Sequence, residues 1–193
     1  CGSETAETTA PVEESSTNES VQNNSAETTE PAQTNGVLRV ATSPDFAPME
    51  FVDPTKSGQD QFVGFDITLA KFIADELNME LEIMPMDFNA CQMAVYAGTV
   101  DLAISGFSWT EDREQNYNIS DYYHAGDNED EQILITLAEN ADKYATIESL
   151  AGCKIGAQNA SLQQSLVEEQ LPDCELGLFT DLGTGLLQLQ NGD

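Results

Sequence analysis

Between residues 37 and 105, short aliphatic runs alternate with amphipathic ones, and this alternation restricts the architecture more than any other feature of the sequence. Residues 36–42, 79–86 and 100–104 read as strands, and residues 66–77 and 88–97 between them read as helices. Strands separated by a helix and joined by short connections cannot pair as hairpins. They require crossovers, so an α/β fold with a parallel sheet and right-handed connections is expected, without a readable strand order. The first helix carries Ile67, Leu69, Ala70, Ile73, Ala74 and Leu77 on one face, with Asp66 in position to cap its N-terminus. Cys91 on the second helix reads as a small buried hydrophobe.

The strand at 100–104 breaks at Ser105-Gly106-Phe107-Ser108-Trp109 and runs into Thr110-Glu111-Asp112-Arg113, the first turn of a helix. Open α/β sheets bind ligands at such strand ends. Backbone N–H groups from Gly106 to Ser108, the hydroxyls of Ser105, Ser108 and Thr110, and the guanidinium of Arg113 are placed to converge on one small anion. Arg113 is one of only two arginines in a chain with 35 acidic residues, so its conservative reading is as a neutraliser of Glu111, Asp112 or Glu114. Upstream, Ser43 to Phe51 forms a loop in which two prolines hold Phe46 at the rim of the sheet, where an aromatic ring can cover a ligand.

Beyond Asn116 the pattern changes. An acidic loop with Asp127, Glu129, Asp130 and Glu131 lacks the glycine and spacing of a calcium loop and reads as solvated, with no metal. His124 is the only histidine and reads as a surface or packing residue. Residues 132–136 read as a strand, and a second α/β unit follows. It comprises a helical turn at 147–152, a strand at 153–157, a polar loop Gln158-Asn159-Ala160-Ser161, a helix at 162–170 and a strand at 174–179. Cys153 and Cys174 open consecutive strands, so adjacency in a parallel sheet would bring them close enough for a disulfide outside the cytoplasm.

Composition narrows the function. A formal charge of −29 with six basic residues excludes nucleic acid as a partner, because phosphate binding requires Lys and Arg to displace counterions. Residues 1–36 hold seven glutamates, no Lys or Arg, and few apolar side chains, a composition that reads as a disordered tether. The chain opens on Cys1-Gly2-Ser3, and a cysteine heading such a tail suits acylation at a processed terminus.

These residues resemble the extracellular solute-binding proteins of family 3, the substrate-binding proteins of polar amino-acid ABC transporters with a two-lobe type II periplasmic-binding-protein fold. The similarity runs from about Val37 to Asp193. Gly64-Phe65-Asp66-Ile67-Thr68-Leu69-Ala70 resembles the family's helix start, with Thr68 where an acid is usual. Residues 101–113 resemble its ligand loop, with Thr110-x-x-Arg113 at the position of the carboxylate-binding arginine. Ser120-Asp121-Tyr122-Tyr123 resembles the segment before the hinge, and residues 156–161 the phosphate-loop-like turn of the second lobe, with Ala160 where the family prefers Gly.

The resemblance implies a tether at 1–36, lobe 1 at 37–124, and hinge plus lobe 2 at 125–193. It further implies a ligand site in which Arg113, Ser105, Gly106 and Ser108 hold an α-carboxylate, Phe46 and Phe65 stack on the side chain, and Ser161 or the N–H of Leu162 approaches from the other lobe. Family members place an aspartate for the α-ammonium, and a return to lobe 1, beyond Asp193, so against the family the chain reads as C-terminally truncated. The implied protein is a monomer without a cofactor. It would be lipid-anchored through Cys1, with palmitate, on the outer face of the cell membrane, and would pass a polar amino acid to a permease. Ser43 and Ser108 supply no carboxylate for a cationic side chain, which argues against Lys or Arg as the ligand, while Asp45 keeps that possibility open. Two other classes fit the residues: a ligand-sensing receptor of the same fold and, through a pair of its many carboxylates, a cell-wall glycan hydrolase. With one histidine and no nucleophile motif, the sequence otherwise gives little basis for an enzyme.

Overall fold

A computed structural model describes residues 35–124 and 132–193. The tail, Cys1 and the acidic loop at 127–131 lie outside the described residues. The alternation expected between 37 and 105 folds as anticipated. Strand β1 (Val37–Thr42) is central. It pairs in parallel with β5 (Glu80–Pro85) along its whole length, from Val37 opposite Glu80 to Thr42 opposite Pro85. On its other edge it pairs in parallel with β6 (Leu102–Ala103), which is reduced to two residues of the expected five. The order β5-β1-β6 puts both crossover helices, α1 (Phe65–Glu76) and α2 (Phe88–Tyr96), against this sheet.

Side-chain alternation along β1 divides the core. Leu38 and Val40 pack with Ile83, Phe62, Ile104 and the Ile67, Ala70 and Ala74 face of α1. Ala41 turns the other way, onto Cys91 and Val100, with Met84, Met86, Ala94 and Val95 around them. Each fully buried Leu, Val, Ile or Phe side chain here contributes about 1.5–3 kcal/mol. Cys91 has no solvent exposure, as its place on the apolar face of α2 requires, and burial pushes its thiol pKa up to about 12.

Asp66 does not cap α1. The N-cap is Gly64, at φ +125°, where an added Cβ would lie 2.2 Å from the Met49 carbonyl oxygen. The chain therefore turns into the helix one residue before Phe65, and Asp66 enters its first turn pointing inward. The segment read as a rigid loop, 43–51, also carries strand structure, which pairs with residues further along the chain. β2 (Asp45–Phe46), β3 (Glu50–Val52) and β4 (Phe62–Val63) form a small antiparallel sheet in that order.

In the second unit, β7 (Lys154–Gln158) and β8 (Glu175–Phe179) pair in parallel, and α4 (Leu162–Gln170) covers them through Val167 against Ile155 and Leu150. A further helix, α5 (Leu182–Asn191), follows β8. Two expectations are corrected. Residues 132–136 are not a strand: they form no ladder with any described residue, and Ile133 is 82% exposed. Cys153 and Cys174 do stand at adjacent strand starts, where the Glu175 N–H donates to the Cys153 carbonyl at 2.8 Å, but both are free thiols. Each is turned onto a different carbonyl of the preceding turn, Cys153 Sγ toward Ser149 at 3.8 Å and Cys174 Sγ toward Leu150 at 3.2 Å.

Candidate functional site

Arg113 sits in α3 (Glu111–Asn116), a short helix capped by Thr110, whose hydroxyl accepts from the Arg113 N–H at 3.2 Å. The helix directs the guanidinium inward, and only 8% of the residue is exposed. Its partners are neutral. Nη1 donates to the Ser108 carbonyl at 2.6 Å, Nη2 to the Ala160 carbonyl at 3.0 Å, and Nε to Gln92 Oε1 at 3.3 Å. The Phe88 and Phe107 rings lie 5.6 and 5.4 Å from Cζ, within cation–π range.

The ion pairs found among the described residues are Arg39 with Glu82 and Lys56 with Asp53, so the conservative alternative, neutralisation of Glu111, Asp112 or Glu114 by Arg113, does not occur. Burial lowers the Arg113 pKa, but a guanidinium remains protonated. A buried cation without a counter-ion costs several kcal/mol, and a guanidinium has five N–H donors. Three are engaged here, which leaves two for an anion.

The Ala160 carbonyl belongs to the turn that opens the second unit's helix α4. Ala160 has φ +60°, the left-handed conformation that suits the glycine of the resembled family. Gln92 Nε2 also donates to this carbonyl, at 3.2 Å, so α2, α3 and the α4 turn meet at one oxygen. Neither Gln92 nor Phe88 was singled out from the sequence. The available signal is their i, i+4 spacing on the inward face of α2.

The other expected site residues divide into two groups. Ser108 meets Arg113 through its carbonyl, and Ser161 and Leu162 follow Ala160 directly. Ser161 is the N-cap of α4: its hydroxyl accepts from the Gln164 N–H at 3.2 Å and donates to the Gln158 carbonyl at 2.7 Å. Ser105 and Gly106 are held from below. Ser105 Oγ donates to Glu50 Oε1 at 2.6 Å and accepts from the Ser43 N–H at 2.9 Å, and the Gly106 N–H donates to Asp66 Oδ2 at 2.8 Å. Gly106 has φ +55°, and the Phe46 ring lies 3.4 Å from where its Cβ would stand.

Phe46 and Phe65 are both about half exposed. Phe65 stacks on Tyr123 at 6.1 Å and meets the His124 ring at 5.7 Å, while the Tyr123 hydroxyl donates to Asp66 Oδ2 at 3.1 Å. Asp45 bridges to the second unit. Its Oδ2 accepts from the Leu182 N–H at 2.8 Å and from Gln158 Nε2 at 3.4 Å, and its Oδ1 accepts from Ser43 Oγ at 3.0 Å.

A parallel three-stranded sheet with crossover helices, joined to a second α/β unit at the ends of its strands, defines an α/β binding-protein fold. The fold is shared with solved amino-acid-binding proteins. The chain superimposes with a TM-score of 0.73 and 38% identity on the amino acid ABC transporter substrate-binding protein AbpA from Streptococcus pneumoniae, solved bound to L-arginine, over 81% of this chain and 64% of that one. The family model of the bacterial extracellular solute-binding proteins, family 3, matches residues 38–144, just over half of the sequence, and the chain belongs to this family. It is 31% identical over 136 residues to the arginine-binding extracellular protein ArtP of Bacillus subtilis, covering 70% of this chain and 49% of the relative. It is 30% identical over 132 residues to the histidine-binding periplasmic protein of Escherichia coli K12, covering 68% and 47%. The chain thus spans about half the length of these relatives.

Proposed function

We propose that this chain belongs to the substrate-binding component of an ABC transporter, which captures a polar amino acid outside the cell membrane and delivers it to a permease without chemical conversion. The observation that carries this reading is the buried Arg113 guanidinium with two N–H donors left over and no carboxylate partner among the described residues. An α-carboxylate supplies the missing charge and matches the planar fork. The Ser108 N–H completes the anion cradle, and Ser105 and Gly106, whose polar groups are already engaged, shape the loop. Phe46 and Phe65 flank the ligand side chain, and the Leu162 N–H approaches from the start of α4.

The relatives' names make arginine and histidine the first ligands to test, and Asp45 is the carboxylate nearest in sequence to the aromatic Phe46. Acylation of Cys1 would tether the monomer to the outer face of the membrane. A thermal-shift screen of the twenty amino acids and cystine tests the reading, because a ligand at 100 times its Kd adds about 2.7 kcal/mol of stability. A transition unmoved by any of them would refute amino-acid capture by this chain.

A further inference from the structure

Beneath the loop that carries the anion cradle lie two carboxyl groups that the capture mechanism does not use. Glu50 on β3 is 1% exposed and Asp66 on α1 is not exposed at all. Each is half satisfied. Glu50 Oε1 accepts from Ser105 Oγ, and Asp66 Oδ2 accepts from the Gly106 N–H and the Tyr123 hydroxyl. Their second oxygens, Glu50 Oε2 and Asp66 Oδ1, are buried without a donor among the described residues. The third buried oxygen without a partner, Thr42 Oγ1, belongs to a neutral hydroxyl and brings no charge to balance.

Glu50 and Asp66 hold the consecutive residues Ser105 and Gly106, so the two carboxyls meet the same point of the loop from β3 and from α1. Two buried carboxylates side by side repel, and a hydrogen bond between two acceptors requires a proton. The titratable groups acting on Glu50 offer no cation in compensation. They are Asp45 from β2 and Asp66 from α1, while Cys91 on α2 and Tyr123 beyond α3 both feel its charge.

We propose that Glu50 and Asp66 share one proton between Glu50 Oε2 and Asp66 Oδ1, and that the resulting singly charged pair positions Ser105 and Gly106 for ligand capture. Asp66 Oδ2 already accepts two donors, the Gly106 N–H and the Tyr123 hydroxyl, whereas Glu50 accepts one. Glu50 carries the proton, consistent with burial, the largest influence on it, and with Asp66 and Asp45 beside it, which together raise its pKa to about 8. The proton has two consequences. It satisfies both orphaned oxygens, and it keeps a second negative charge away from the site where an anion is to bind. This inference rests on the capture reading only for its effect on affinity, since the proton can be detected without ligand.

The experiment therefore has two arms. Carbon-13 carboxyl NMR of the labelled chain at neutral pH should show one protonated glutamate that disappears in Glu50→Gln, and finding every side-chain carboxyl ionised would overturn the shared proton. In the second arm, L-arginine is titrated calorimetrically from neutral to alkaline pH against the wild type and Glu50→Gln, so that the ratio of affinities cancels the titration of the ligand's own amine. The wild type should weaken by about tenfold relative to Glu50→Gln once Glu50 ionises, the scale of one added charge acting over about 10 Å at an effective dielectric of about 20. A ratio independent of pH overturns the effect on affinity. Asp66→Asn should weaken L-arginine binding at every pH, and unchanged affinity overturns the positioning role. If the wild type does not bind L-arginine, the assignment of that ligand fails, and the NMR arm still decides the proton.

Discussion

Replacing Arg113 with alanine tests the site at its centre. In the native arrangement three of the five guanidinium N–H donors go to the Ser108 carbonyl, the Ala160 carbonyl and Gln92, and two remain for a ligand carboxylate. Loss of a bidentate, charge-assisted pair from a site this buried costs about 2–5 kcal/mol of binding, or about 30- to 4,000-fold in Kd. The unliganded protein should change much less. Removing the side chain strands the Ser108 carbonyl, at a cost of about 1–3 kcal/mol, but also removes an uncompensated buried charge. The Ala160 carbonyl keeps its bond from Gln92 Nε2. Calorimetric titration with L-arginine and L-histidine, paired with urea denaturation of each protein without ligand, separates the two effects. Arg113→Lys, which retains the charge but not the fork, should bind with intermediate affinity. Wild-type affinity in Arg113→Ala would refute the assignment of the guanidinium to ligand.

Three further outcomes follow from the packing. The pKa of Glu50 is raised from 4.5 to about 8 in the folded state, so its contribution to stability is complete below about pH 4.5 and is lost as pH rises through about 8. The wild type should therefore lose stability relative to Glu50→Gln across that window, by at most about 5 kcal/mol, in urea melts at several pH values. Gly64→Ala should destabilise the fold by about 2 kcal/mol or more in the same assay, because φ +125° and the Met49 carbonyl both exclude a Cβ. Asp45→Ala should speed hydrogen exchange at the Leu182 amide and cost about 1 kcal/mol, since Asp45 Oδ2 accepts from the first N–H of α5.

The sequence made the frame legible where local pattern and long-range packing agree. The runs around Val40 and Ile83 are strands with helices between them because their apolar periodicity coincides with the faces they bury. Helix 162–170 was bounded correctly because Ser161 is a cap and Leu171-Pro172 stops the chain. The pattern misled at residues 132–136, where aliphatic residues in a row carry strand propensity but have no strand to pair with among the described residues. It was silent on β2, β3 and β4, which at two or three residues have no period to detect. It also hid α5, whose first turns contain Gly183 and Gly185.

At the site, Arg113 was readable because a rare cation followed a strand end and a serine-glycine loop. Glu50, Asp66 and Gln92 were not readable in their roles. Their partners lie 55, 40 and 21 residues away, and nothing local marks a carboxyl that supports a distant loop. Asp66 was taken for a cap because its neighbours allow that role, and the conformation of Gly64 had already filled it.

The bond from Arg113 Nη2 to the Ala160 carbonyl makes one side chain party to two equilibria. The same guanidinium that faces an incoming carboxylate also ties α3 to the turn that begins α4. Neutralising its charge alters the strength of that tie, and making or breaking the tie alters how many donors are free for the carboxylate. Ligand affinity and the attachment of the second unit are then linked functions: whatever factor the attachment adds to binding, binding must return to the attachment. Substitutions at Ala160 or Gln92 that never touch the ligand should therefore still be felt in its dissociation constant.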